Sequence, residues 1–274
     1  IAREKADIVA GLMPGGAAIL PADVPTIDIL VQAALAKGAT IVGFGETADA
    51  FRLTALEMHH DVTVIQARLR GAPAVLRLNT LGRHFAVNAM GVLAAVEALS
   101  GDTTRAAVDL FRWHPPAGRG RRETVSLDPA DTNAYFELID DAYNANPASM
   151  AAALEVLAAS DPQEQSRQGP RRIAILGDML ELGQEEAQIH AQLAGNNHLL
   201  TLDVVHCVGP RMRACYDALP AAIRGRWVQE AQELASGLGE LIAPGDRVLV
   251  KGSLGSKVSL IVDLIRNLGH RSQP

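Results

Sequence analysis

The 274-residue chain has only two cysteines, Cys207 and Cys215, and aromatic residues make up 4% of it. Two thiols eight residues apart match no common zinc or redox spacing, and read as reduced thiols of a cytoplasmic protein. No apolar run approaches the roughly 18 residues that a membrane helix needs, so no integral membrane segment is expected. Basic excess is also missing. The net charge of −6 argues against a nucleic-acid binder, although one local basic cluster would suffice for a phosphate-bearing ligand. No G-x-S-x-G, H-E-x-x-H or full G-x-G-x-x-G occurs, so nothing points to a hydrolase elbow, a zincin or a dehydrogenase. The first residue is Ile, and residues 1–9 read as the middle of a helix with no cap and no signal-peptide pattern. The sequence is therefore expected to begin inside a domain.

A hydrophobic content of 48% and a charged content of 20% fit a globular protein of one large or two modest domains. Residues 17–20 and 40–45 read as strands, separated by a helix over 26–37 with Ile27, Leu30, Val31, Ala34 and Leu35 on its apolar face. Residues 53–58, 62–69 and 74–78 alternate like antiparallel strands, with a turn at 70–73. A strongly apolar helix is expected from about Ala89 to Leu99. The Pro/Gly/Arg stretch 113–122 is the candidate boundary between a domain over 1–114 and another over 115–274. A polar linker is expected over 160–170. Regular β/α alternation from residue 135 onward predicts an α/β, Rossmann-like, mostly parallel sheet, preceded by a partial domain with a mixed sheet.

The most informative stretch is Asp140-Asp141-Ala142-Tyr143-Asn144-Ala145-Asn146-Pro147. A strand ends in paired acids, a polar loop follows, and Asn-Pro starts a helix. That order presents side chains and backbone N–H groups at a sheet edge, where nucleotides commonly bind. Asp141 could accept from a ribose hydroxyl, or be a solvated strand end. Asn144 and Asn146 could read an adenine edge, although Asn146 also suits a plain helix cap. Arg119, Arg121 and Arg122 concentrate charge in a Gly-rich loop fit for phosphate, or form a solvated linker. His84 and Asn88, four apart, share a helix face. Lys251-Gly252-Ser253 follows an apolar strand and could hold an anion. Asp178, Glu181 and His190 surround a strand-to-helix turn but match no standard metal spacing. Lys5, between Glu4 and Asp7, reads as a surface lysine.

Together these segments resemble the Mur ligase family, through Asp141–Pro147 with Ser149-Met150, Gly82-Arg83-His84 with Asn88, Gly118-Arg119, Leu176-Gly177-Asp178-Met179 and Val250-Lys251-Gly252-Ser253. The focal string is similar to that of the branch joining D-alanyl-D-alanine to UDP-N-acetylmuramoyl-tripeptide. The resemblance implies an ATP- and Mg2+-dependent amide ligase of peptidoglycan synthesis, a cytoplasmic monomer, acting through an acyl phosphate. It implies that Lys5 is carbamylated and sits near magnesium. It also implies that His84, Asn88, Arg119, Asp141, Asn144 and Asn146 contact the nucleotide, and that Lys251 and Ser253 contact substrate.

The departures are equally specific. The family's G-K-[ST] phosphate loop is not in these residues, the usual Asn-x-Asp turn is Pro21-Ala22-Asp23, and Phe85 stands where Asn is common. The 274 residues are therefore expected to be a C-terminal fragment, inactive alone, holding part of a central ATPase domain and a C-terminal domain. The alternatives are another Mur-type or folylpolyglutamate-type ligase, or a non-catalytic nucleotide-binding or interaction module.

Overall fold

The computed structural model describes residues 2–59, 61–128, 130–160, 170–235 and 237–268. Most of the polar linker expected over 160–170 lies outside them. The chain divides into two compact units, Ile1–His114 and Pro115–Pro274.

In the first unit, α1 (Ala2–Ala6) runs into a 3-10 turn and then β1 (Ala17–Pro21), α2 (Ile27–Ala36), β2 (Thr40–Gly45), β3 (Phe51–His59), β4 (Val62–Leu69), β5 (Ala72–Leu78), α3 (Arg83–Ala98) and α4 (Thr103–Asp109). The sheet order is β1-β2-β3-β4-β5. The first three strands are parallel and the last three antiparallel, as the switch in residue pattern predicts. Two boundaries and one face assignment stand out against expectation. Helix α3 starts six residues early, because Ala86, Ala89, Met90 and Leu93 form one buried stripe that begins just after Gly82. The 70–73 turn is confined to Arg70-Gly71, and Pro73 already lies in the edge strand β5, where a missing N–H is tolerated. Leu35, placed on the buried face of α2, is exposed, while Ile27, Leu30, Val31 and Ala34 pack inward.

In the second unit the elements are β6 (Arg121–Ser126), β7 (Tyr135–Asp141), α5 (Pro147–Ala159), β8 (Arg172–Gly177), α6 (Glu186–Leu193), β9 (Val204–Val208), α7 (Met212–Ala218), β10 (Arg224–Val228), α8 (Ala231–Ala235), α9 (Leu238–Leu241), β11 (Arg247–Lys251) and α10 (Ser259–Arg266). The sheet order is β10-β9-β8-β11-β7-β6. Every strand is parallel to its neighbours except β6, which runs antiparallel to β7. The central strands are buried along nearly their whole length, as a sheet covered on both faces requires. Leu138, Ile173, Ile175, Val248 and Val250 anchor one core cluster against α10 residues Ile261, Val262 and Ile265.

Two features of this unit depart from the sequence pattern. Arg121 and Arg122 do not belong to a basic loop with Arg119: they open β6, and Arg122 pairs with Glu137 of β7. The polar edge strand β10 (Arg-Gly-Arg-Trp-Val) carries too little apolar alternation to be seen from sequence.

Candidate functional site

The parallel strands of the second unit finish at one edge, and the focal stretch lies there. In register, Lys251 of β11 stands beside Asp141 of β7 and Leu176 of β8. Lys251 is 2% exposed, an unusual position for a charged amine. Its Nζ donates to Asp141 Oδ2 at 2.7 Å and to the Asn144 carbonyl at 2.8 Å. Burial pushes the Asp141 carboxyl above its ordinary range, and the charge and hydrogen bond of Lys251 oppose that rise without cancelling it. The second oxygen, Oδ1, accepts no hydrogen bond among the described residues, and a fifth of the side chain is exposed.

Ser253 closes the same corner. Its hydroxyl donates to the Ala145 carbonyl at 3.3 Å and accepts from the Leu180 N–H at 3.0 Å. Lys251 and Ser253 thus hold the 142–146 loop from below.

Asn146 caps α5: its Oδ1 accepts from the Ser149 N–H at 2.9 Å, and Ser149 Oγ accepts from the Asn146 N–H at 3.0 Å. This reciprocal capping, with Pro147 at the first helical position, is the local reason the helix begins here. Asn144 Oδ1 accepts from the Ala145 N–H at 2.8 Å. Both amide NH2 groups carry no hydrogen bond among the described residues, and both residues are exposed. Exposed Arg119 lays its guanidinium 4.4 Å from the centre of the Tyr143 ring, beside the same loop.

The structure therefore brings Arg119, Asp141, Asn144, Asn146, Lys251 and Ser253 together. Asp178 and His190 lie near the same edge but serve the scaffold. Asp178 Oδ1 accepts from the Met212 N–H at 2.8 Å, and His190 Nε2 from the Met179 N–H at 3.0 Å. Among the described residues, no group of three or more His, Cys, Asp or Glu side chains is placed to hold a metal ion.

Lys5, His84 and Asn88 belong to the first unit. Lys5 is exposed on α1 and Asn88 on α3, while His84 is half-buried with its ring 3.9 Å from that of Phe85. The start of α3 is tied to the ends of β1 and β2. Arg83 pairs with Glu46 at 2.6 Å, and Asp23 accepts from the Glu46 and Thr47 N–H groups at 2.7 and 2.8 Å. Burial works to raise the Asp23 pKa, but the bonds from Thr47 and Glu46 outweigh it and the value is lowered. A Cβ on Gly45 would lie 2.1 Å from Asp23 Oδ2, so only glycine fits there. Asp23, the acid of the Pro21-Ala22-Asp23 turn in which Pro21 replaces the family's usual Asn, is thus the staple of that edge.

Two family models match the chain: "Mur ligase middle domain" over residues 1–96 and "Mur ligase, glutamate ligase domain" over 120–254. A curated UDP-N-acetylmuramoyl-tripeptide--D-alanyl-D-alanine ligase of Rickettsia prowazekii is 32% identical over 183 residues, 66% of this chain and 37% of that protein. The enzyme of that name from Escherichia coli K12 is 29% identical over 274 residues, 98% of this chain and 56% of that protein. Among solved structures, MurF from Acinetobacter baumannii superposes with a TM-score of 0.78 at 26% identity, covering 96% of this chain and 54% of that one. MurF from Thermotoga maritima in complex with ADP shares the fold, with a TM-score of 0.76 at 18% identity, covering 98% and 57%. The chain spans about half the length of most of the relatives it matches.

Proposed function

The chain belongs to the Mur ligase family, and we propose that it is part of a ligase joining D-alanyl-D-alanine to UDP-N-acetylmuramoyl-tripeptide at the expense of ATP. The names of its relatives and the residue string from Asp141 to Pro147 support this substrate pair. In this reaction the terminal carboxylate of the tripeptide takes the γ-phosphoryl group of ATP. The amine of D-alanyl-D-alanine then attacks the acyl phosphate, and phosphate leaves.

The second unit supplies contacts to the nucleoside. Asp141 Oδ1 accepts from a ribose hydroxyl, and Lys251 fixes that carboxylate from behind. The amide NH2 groups of Asn144 and Asn146 face acceptors on adenine. Arg119 offers its guanidinium to phosphate oxygens. The observation that carries this assignment is the buried Lys251–Asp141 pair, which holds an acid with one open oxygen at the strand-to-helix edge.

Lys251 and Ser253 serve the substrate by shaping this loop. In the first unit, His84 and Asn88 of α3 are proposed as nucleotide contacts from their motif positions. Lys5 is an exposed amine on which a carbamate can form. Among the described residues no group of three or more His, Cys, Asp or Glu side chains forms a cage for Mg2+. The protein is proposed to be cytoplasmic and monomeric; no helix among the described residues is long and apolar enough to cross a membrane.

The test uses the product of the complete reading frame. Phosphate release should require ATP, the UDP-tripeptide and D-alanyl-D-alanine together. Equal release with glutamate as the amine would reassign the branch. The 274 residues alone, which contain no G-K-[ST] loop, should release none.

A further inference from the structure

The two adjacent acids that end β7 point to different tasks, and the structure assigns Asp140, with Arg266, as the positioning pair that sets Arg119 and Tyr143 for the nucleotide. The inference rests on the nucleotide role proposed above.

Asp140 is 4% exposed and bonded on every side. Its Oδ2 accepts from the Gly118 N–H at 3.0 Å and from Arg266 Nη2 at 2.8 Å, and its Oδ1 accepts from the Ala142 N–H at 3.3 Å. Its main-chain carbonyl accepts from the Gly120 N–H at 2.8 Å. One residue thereby grips both the 116–120 loop and the start of the 142–146 loop. The Tyr143 N–H donates to the Gly118 carbonyl at 3.1 Å, and a Cβ at Gly118 would lie 3.0 Å from that of Tyr143. The loops are thus in direct contact, and the Arg119–Tyr143 stack sits on that contact.

Arg266 reaches Asp140 from α10, far along the chain, and its other bonds go to Glu123 at 2.6 and 2.8 Å and to Asp263 at 3.2 Å. These charged bonds push the guanidinium pKa up, the largest contribution coming from Glu123, and Arg266 Nη2 shares Asp140 Oδ2 with the Gly118 N–H. The pair has no place of its own in the site and acts through what it holds.

The experiment measures ADP affinity by calorimetry and amide hydrogen exchange on the 274-residue chain and its variants. Asp140→Asn and Arg266→Met should each weaken ADP binding about tenfold, the loss of one charged hydrogen bond. They should speed exchange at Gly118, Ala142 and Tyr143 while leaving the β8 amides 173–176 unchanged. Arg266→Lys should keep affinity within about threefold, because the charge survives without the fork. Glu123→Gln removes the other half of the Arg266 network and should leave ADP affinity within about twofold. Faster exchange at those amides with unaltered ADP affinity would overturn the positioning role. Arg119→Ala and Asp141→Ala separate the two ideas. If neither weakens ADP binding, or if the unmodified chain binds no ADP, the nucleotide role itself fails and the inference with it.

Discussion

The β7–β11 pair carries an acid–base bridge towards each end, and the two ends have different surroundings. Where the strands begin, Glu137 is enclosed between Arg247, at 2.6 Å, and Arg122 of β6, with no side chain of the three more than 14% exposed. Where they finish, Lys251 holds Asp141 at 2.7 Å, and Asp141 keeps one oxygen open beside the start of α5. The chemistry is nearly the same, but only the second bridge faces a crossover loop and a helix N-terminus. An ion pair therefore says little about function until its place in the sheet is known.

The largest loss of stability is expected at Glu137. Glu137→Ala leaves two guanidiniums side by side without the acid they share, and should cost about 3–5 kcal/mol in urea unfolding. ADP binding by the folded fraction should be unchanged; a matching loss of affinity would erase the contrast between the ends.

His206, in the middle of β9, checks that the acid sensitivity of the sheet is separate from that of the Asp141 edge. Burial, helped by the charges of Arg226 and Arg171, lowers its pKa to about 4, and its Nδ1 accepts from the Arg226 N–H at 3.0 Å. The unfolded chain takes up this proton near pH 6.5 and the folded one only near 4. Stability is therefore fully present above pH 6.5 and declines as the pH falls toward 4, by up to about 3 kcal/mol. His206→Asn keeps an acceptor there and should flatten the decline; an unchanged slope would rule His206 out.

Lys251→Met should destabilise less than Glu137→Ala, by about 2 kcal/mol, because Asp141 is partly exposed and can neutralise itself. Without the lysine the Asp141 carboxyl should titrate still higher, as NMR would show, and ADP affinity should fall about tenfold. The smallest effect is expected at the cap: Asn146→Ala should cost about 1 kcal/mol, read as a shifted urea midpoint.

Much of this was legible in the residues. The strand–loop–helix corner at 140–147 follows from paired acids, Asn-Pro and the apolar stretches around them, and the structure has the strand, cap and helix there. The change from parallel to antiparallel strands in the first unit followed from alternation. Sequence alone did not show β6, because Arg121 and Arg122 look like loop charges until Glu137 is placed beside them. Nor could it separate Asp140 from Asp141: neighbours on a strand point to opposite sides, and only the packing of α10 and the 116–120 loop decides which acid is enclosed. The partners of Lys251 are more than a hundred residues away, a distance no local pattern bridges.

On the proposed function, the Asp141 end of the β7–β11 pair meets an adenine nucleotide and the Glu137 end does not. Titrating ADP into the isotopically labelled chain and following its amide resonances tests this directly. Shifts are expected at Gly118, Arg119 and residues 142–149, with none at Glu137, Thr124 or Arg247. Shifts at the Glu137 end, or silence in the 142–149 loop at saturating ADP, would contradict it.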